Sequence, residues 1–240
     1  AVELNGGWSR FNRLVFVSHW QRNQFITTYP TIPWSQTAVI PNSIIPIERH
    51  EKPRDKINII YHTTPHRGLN ILVATFEELY KTNKDIHLDV YSSFELYGWK
   101  ERDAEFEELF NRIKAHEGMT YHGFKPNEEI REALKKSHIF GYPSTWPETS
   151  CISLIEAMSA GCICVHPDLA ALPETSANWT MMYPWNEDIS KHANSFINVL
   201  AIAIEAAREN IKKESFFSNQ LHSQMSYVNL FNNWEIKKKH

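Results

Sequence analysis

From residue 57 onward, short apolar runs alternate with longer stretches of mixed polarity. The runs at 57–61, 86–91, 119–122, 139–142 and 162–166, with a sixth at 180–183, have the length expected of buried strands. Stretches 68–81, 101–116, 127–137, 150–160 and 189–210 read as helices between and after them. Strands separated by helices predict an α/β domain with a doubly wound parallel sheet covered on both faces. Ligands in such sheets bind outside the carboxyl ends of the strands, so the loops there are the place to look for chemistry.

Upstream, 13–18 reads as a buried strand, 19–28 as a short helix stopped before Pro30, and 37–43 as a strand and turn. The charged segment 48–56 reads as a solvated connector. The tail 211–240 carries Phe216, Phe217, Leu221, Met225 and Trp234 among its apolar residues, enough for one or two helices.

The stretch from Trp146 to Gly161 holds two carboxylates, Glu148 and Glu156, eight residues apart around a predicted helix start. Thr149 or Ser150 suits the N-cap, and Gly161 suits the left-handed residue that ends a helix, giving roughly three turns. Glu148 then lies in the loop before the helix, with Glu156 about two turns in. Between them the first helical turn offers unpaired N–H groups and partial positive charge, which favour a phosphate or diphosphate. An acid beside such an anion must face hydroxyls, so the pattern points to a nucleotide sugar. Glu148 would accept from the sugar and Glu156 from the ribose. Two acids flanking a helix are more often a cap and a solvated side chain. Here Glu156 stands in an apolar run, where an unpaired charge is costly.

The run from Glu148 to Gly161, E-T-S-C-I-S-L-I-E-A-M-S-A-G, resembles the E-x7-E segment of the retaining family 4 glycosyltransferases, which have the GT-B fold of two Rossmann-like domains. Ile40-Pro41-Asn42-Ser43 is similar to the I-P-N-G turn that opens their second domain, with Ser43 in place of Gly. The resemblance implies a boundary near residue 37. Residues 1–36 would be the end of a first, acceptor domain or a linker, and 37–210 the donor-binding domain. Residues 211–240 would pack back toward the missing first domain.

In loop 62–69 the resemblance implies that Arg67 neutralises the donor diphosphate, next to Gly68, which lets backbone come close. Most members have a second cation here, where this chain has Thr63 and Thr64; His66 is a candidate replacement. Cations are unfavourable at a helix N-terminus, so Arg67 itself argues for an anionic partner. Loop 123–127 resembles the segment that flanks the nucleotide base, with Gly123, Phe124 and Lys125 as contacts. Loop 141–147, with Ser144 and two prolines, leads into Glu148; Thr149, Ser150 and Cys151 complete the donor-binding set with Glu156. Segment 168–175 resembles a structural turn and is assigned no chemistry.

The implied activity moves a sugar from a nucleotide diphosphate sugar, such as a UDP- or GDP-sugar, to a hydroxyl of a carbohydrate or lipid-linked acceptor. Glu148 and Arg67 are its catalytic residues. The resemblance further implies retention of anomeric configuration, no metal or other cofactor, and a cytoplasmic location with peripheral membrane association open. A non-catalytic nucleotide-sugar-binding module is the alternative.

Composition narrows the field. With 25 Lys and Arg against 28 Asp and Glu, the chain offers no electrostatic case for nucleic acid. No apolar run approaches the roughly 20 residues of a membrane span, and no signal peptide opens the sequence. Three cysteines, Cys151, Cys162 and Cys164, lack the spacing of a disulfide framework and fit a reducing compartment. Cys162, Cys164 and His166 alternate along one strand, a pattern that is more often packing than metal ligation. His62 and His66 share a loop rather than a helix face, which argues against a zinc pair. No G-x-G-x-x-G follows any strand, which disfavours a nicotinamide enzyme.

Overall fold

Residues 4–48 and 50–213 are described by a computed structural model, whose strands fall into two parallel sheets. The smaller pairs β1 (Leu14–Phe16) with β2 (Thr37–Val39), joined through α1 (His19–Thr28). Ser18 caps α1 by accepting a hydrogen bond from the Gln21 N–H at 3.0 Å. Residue 37, the expected boundary, opens β2, and β2 pairs with β1.

The larger sheet starts at β3 (Ile57–Tyr61), which leads through α2 (Leu69–Tyr80) to β4 (Ile86–Val90) and through α3 (Glu107–Ala115) to β5 (Met119–Tyr121). The chain then returns through α4 (Asn127–Lys136) to β6 (Ile139–Gly141). It continues outward through α5 (Ile152–Ser159), β7 (Ile163–Pro167), α6 (Leu172–Ser176), β8 (Met181–Tyr183) and α7 (Ile189–Lys213). The spatial order β5-β4-β3-β6-β7-β8 reverses direction between β3 and β6. This is the switch point where doubly wound sheets bind ligands, and the loops after β3 and β6 border it.

Central strands are covered on both faces, so their sequences are mostly apolar rather than alternating, with Asn58 the polar residue of β3. Ile57, Ile59, Ile60 and Tyr61 of β3 and Ile139 and Phe140 of β6 are all buried. Each such side chain contributes about 1.5–3 kcal/mol by leaving water. Helices α2 and α7 pack together, as do α4 with α5 and α5 with α6.

Three expectations need correction. The segment 101–116 is a 3-10 helix, Lys100–Phe106, before it becomes α3. The charged connector is not wholly solvated: Lys52 Nζ donates to the Leu134 and Ser137 carbonyls at the end of α4. A helix end leaves carbonyls unpaired, and a cation there satisfies them. Segment 168–175 runs into α6, whose Glu174 accepts from the backbone N–H groups of His19 and Trp20 at 2.8 and 3.0 Å and lies 2.8 Å from His19 Nδ1. A carboxylate thus sits on the amino end of α1. The expected tail packing falls on residues from 214 on, outside the described residues.

Candidate active site

Loops from both sides of the switch point meet. After β3 the backbone passes through Thr63 and Thr64 into a 3-10 turn, Pro65–Arg67, that ends at Gly68. Gly68 has φ +98°, and a Cβ there would lie 2.0 Å from the Pro143 carbonyl oxygen. The close approach expected of Gly68 is therefore to the loop after β6. Ser144, fully buried, is spent inside that loop: its hydroxyl donates to the Trp146 carbonyl at 3.0 Å and accepts from the Trp146 N–H at 3.2 Å.

This contact delivers Arg67 to Glu148. Arg67 Nη1 is paired with Glu148 Oε1, and the Tyr142 hydroxyl donates to the same oxygen. Glu148 is 5% exposed. The anion that answers the Arg67 charge is thus a side chain of the protein, which corrects the inference of an external partner from that charge alone. Burial would lower the Arg67 pKa, but Glu148 and Tyr142 outweigh it and hold the guanidinium charged above its usual range. Tyr142 is itself buried against Phe140 and Tyr61, with ring centroids 5.4 and 6.2 Å away. Sequence reasoning misses Tyr142, although its place six residues before Glu148, just past β6, is an available signal.

Helix α5 begins later than expected. Its N-cap is Cys151, without a side-chain cap bond, so Thr149 and Ser150 precede the helix rather than cap it. Glu156 is the fifth helical residue, little more than one turn in. It is 6% exposed, accepts from Asn127 Nδ2 at 3.0 Å through Oε1, and has Arg131 Nη1 3.9 Å from that oxygen. Burial raises its pKa against the opposing pull of Asn127 and Arg131. Asn127 and Arg131 lie four apart on α4, a helical spacing the sequence displays. The two acids have separate protein partners, yet share one arrangement. Each is held through Oε1, and among the described residues neither Oε2 takes a partner.

His66 is not a second cation. Its ring stacks on Phe94 at 5.2 Å and meets Trp146 edge-on at 5.1 Å. Burial, then the charges of Arg67 and Arg102, lower its pKa to about 4, leaving it neutral. His62 is also buried, with its pKa lowered to about 4 by burial, and its carbonyl accepts from Ser153 Oγ at 3.3 Å. Thr63 and Thr64 are buried; their carbonyls accept from Ser92 Oγ at 2.7 Å and the Tyr61 hydroxyl at 2.9 Å. Gly123 has φ +68°, and Phe124 beyond it is exposed. A cavity of about 570 Å³ opens beside the Pro65–His66 turn, lined also by Asn70, Phe106, Thr145 and Ile189; neither acid lines it. Cys162 and Cys164 are buried, and among the described residues no cluster could hold a metal.

A family model described as glycosyl transferases group 1 matches residues 43–214. A chain of the human phosphatidylinositol N-acetylglucosaminyltransferase is 23% identical over 168 residues, which cover 68% of this chain and 33% of that protein. S. aureus TarM, solved in complex with fondaparinux, α-GlcNAc-glycerol and UDP, is 20% identical with a TM-score of 0.58, over 93% of this chain and 44% of that one. Anabaena HepE in complex with UDP-glucose is 16% identical with a TM-score of 0.56, over 85% of this chain and 63% of that one. The chain thus spans about a third of the human relative and under two thirds of these two structures, with which it shares the fold. Among the described residues no helix is long and apolar enough to cross a membrane.

Proposed function

Because the chain belongs to the glycosyl transferases group 1 family, we propose that it is the donor-binding part of a retaining, metal-independent glycosyltransferase. In this reading it moves a sugar from a nucleotide diphosphate sugar to a hydroxyl acceptor, with residues 1–36 the end of an acceptor domain. The supporting observation is that Arg67 and Glu148 meet at the switch point, with Glu156 on the helix that follows. The diphosphate would lie against the open amides at the start of α5 and draw on Arg67. The free Oε2 of Glu148 would accept a sugar hydroxyl, and that of Glu156 a ribose hydroxyl.

In the transfer step the bond from the anomeric carbon to the diphosphate oxygen breaks, while a bond to the acceptor oxygen forms on the same face. The acceptor proton passes to the departing phosphate oxygen, so no protein base is needed. The protein contributes orientation and stabilisation of negative charge on the leaving group. Two structural relatives hold UDP or UDP-glucose, which makes UDP-sugars the first donors to try.

Titration calorimetry with UDP and GDP, followed by a UDP-sugar transfer assay with and without chelator, tests this reading. Binding, chelator-insensitive turnover and a product of unchanged anomeric configuration are expected. Normal binding and turnover in both E148Q and E156Q would overturn the site assignment. Binding without turnover in the full-length protein would favour the non-catalytic module.

A further inference from the structure

A diphosphate carries at least two negative charges, and the site described so far answers it with one arginine that Glu148 already engages. Thr63 and Thr64 are uncharged, and His66 is neutral. Arg102 stands at the other end of a ladder of rings that begins at Arg67. The Arg67 guanidinium carbon lies 5.9 Å from the Trp146 ring, Trp146 meets His66 at 5.1 Å, His66 stacks on Phe94 at 5.2 Å, and the Arg102 guanidinium carbon lies 4.3 Å over Phe94. Trp99 braces Arg102 from 5.7 Å. Arg102 is exposed, and among the described residues no carboxylate forms an ion pair with it. Its segment follows β4 and hence leaves the sheet from the carboxyl end, the same edge as the loops after β3 and β6. Its charge is felt at His66, next to Arg67.

We propose that Arg102 is the second cation of the donor site, contacting the diphosphate from the loop after β4. This rests on the donor-binding reading above. The rings hold the guanidinium over Phe94 without consuming its hydrogen-bond donors, so those donors stay available for phosphate oxygens. Lysine lacks the planar fork and would substitute poorly.

The test is calorimetric titration of the full chain with UDP and UMP. R102A is expected to bind UDP about tenfold more weakly, the loss of one charge-assisted contact, and R102K to fall between it and wild type. UMP affinity should change much less, and the salt dependence of UDP binding should flatten in R102A. K100A, which removes a neighbouring exposed charge, should bind UDP as wild type does. Equal UDP affinity in wild type and R102A, or an equal loss in R102A and K100A, would overturn the Arg102 assignment while leaving the donor site standing. Absence of UDP and GDP binding in wild type would overturn the donor reading and this inference with it.

Discussion

Arg67 and Tyr142 converge on one oxygen of Glu148, so the acid is fixed by a cation from the loop after β3 and a phenol just past β6. Removing one member of a buried pair strands the other. R67A should therefore lower stability by about 3 kcal/mol, and the double variant R67A/E148Q should recover part of that loss. Chemical denaturation of the two singles and the double would measure the coupling. E148Q should also reduce turnover about a hundredfold if the carboxylate acts in the transition state.

G68A tests the seam between the two loops. The substitution requires both a left-handed backbone and a methyl group where the Pro143 oxygen stands. A loss of about 2 kcal/mol or more is expected, together with weaker Arg67–Glu148 coupling in the same denaturation cycle.

The Glu156 pKa lies above the ordinary 4.5 because burial outweighs Asn127 and Arg131. In the proposed donor site Glu156 would accept bonds from ribose hydroxyls, which favours its ionised form. UDP affinity should therefore fall as the pH drops through a value higher than 4.5, and E156Q should lack that inflection. For folding the sign is opposite: the raised pKa favours the native state in acid, and that contribution is lost as pH rises through the folded value. Calorimetry across pH 4–7 separates the two effects from the thermal midpoint.

His66 should show no protonation near 6.5. Its ring protons, followed by NMR, should titrate at about 4, and UDP affinity should carry no step near 6.5 from this residue.

Glu174 has its pKa lowered, since burial is outweighed by the bonds from His19 and Trp20. Its contribution is present above 4.5 and lost as pH falls through the folded value. E174Q should cost about 1 kcal/mol at neutral pH, and hydrogen exchange should show faster opening of α1 than of β3.

The architecture is legible because β3 and β6 are mostly apolar and the helices between them carry 3.6-residue periods, which report burial directly. Glu148, Glu156 and Arg67 are legible as chemistry. How they are held is not, because those partners are distant in sequence: Arg67 lies 81 residues before Glu148, and Asn127 lies 29 before Glu156. A periodic pattern says which face is buried, but not which polar groups meet beneath a loop. The start of α5 is misleading for a local reason. Thr149 and Ser150 have cap chemistry, yet the backbone turns helical only after Cys151. Glu174 reads as a turn residue because the helix end it satisfies lies 155 residues upstream.

Gly68 resting on the Pro143 oxygen joins two crossover connections into one rigid lip. Neither can lengthen or shift without carrying the other, so this rim should tolerate no insertion. Diversification of substrate preference is left to the outer connection after β5, where Phe124 already faces solvent.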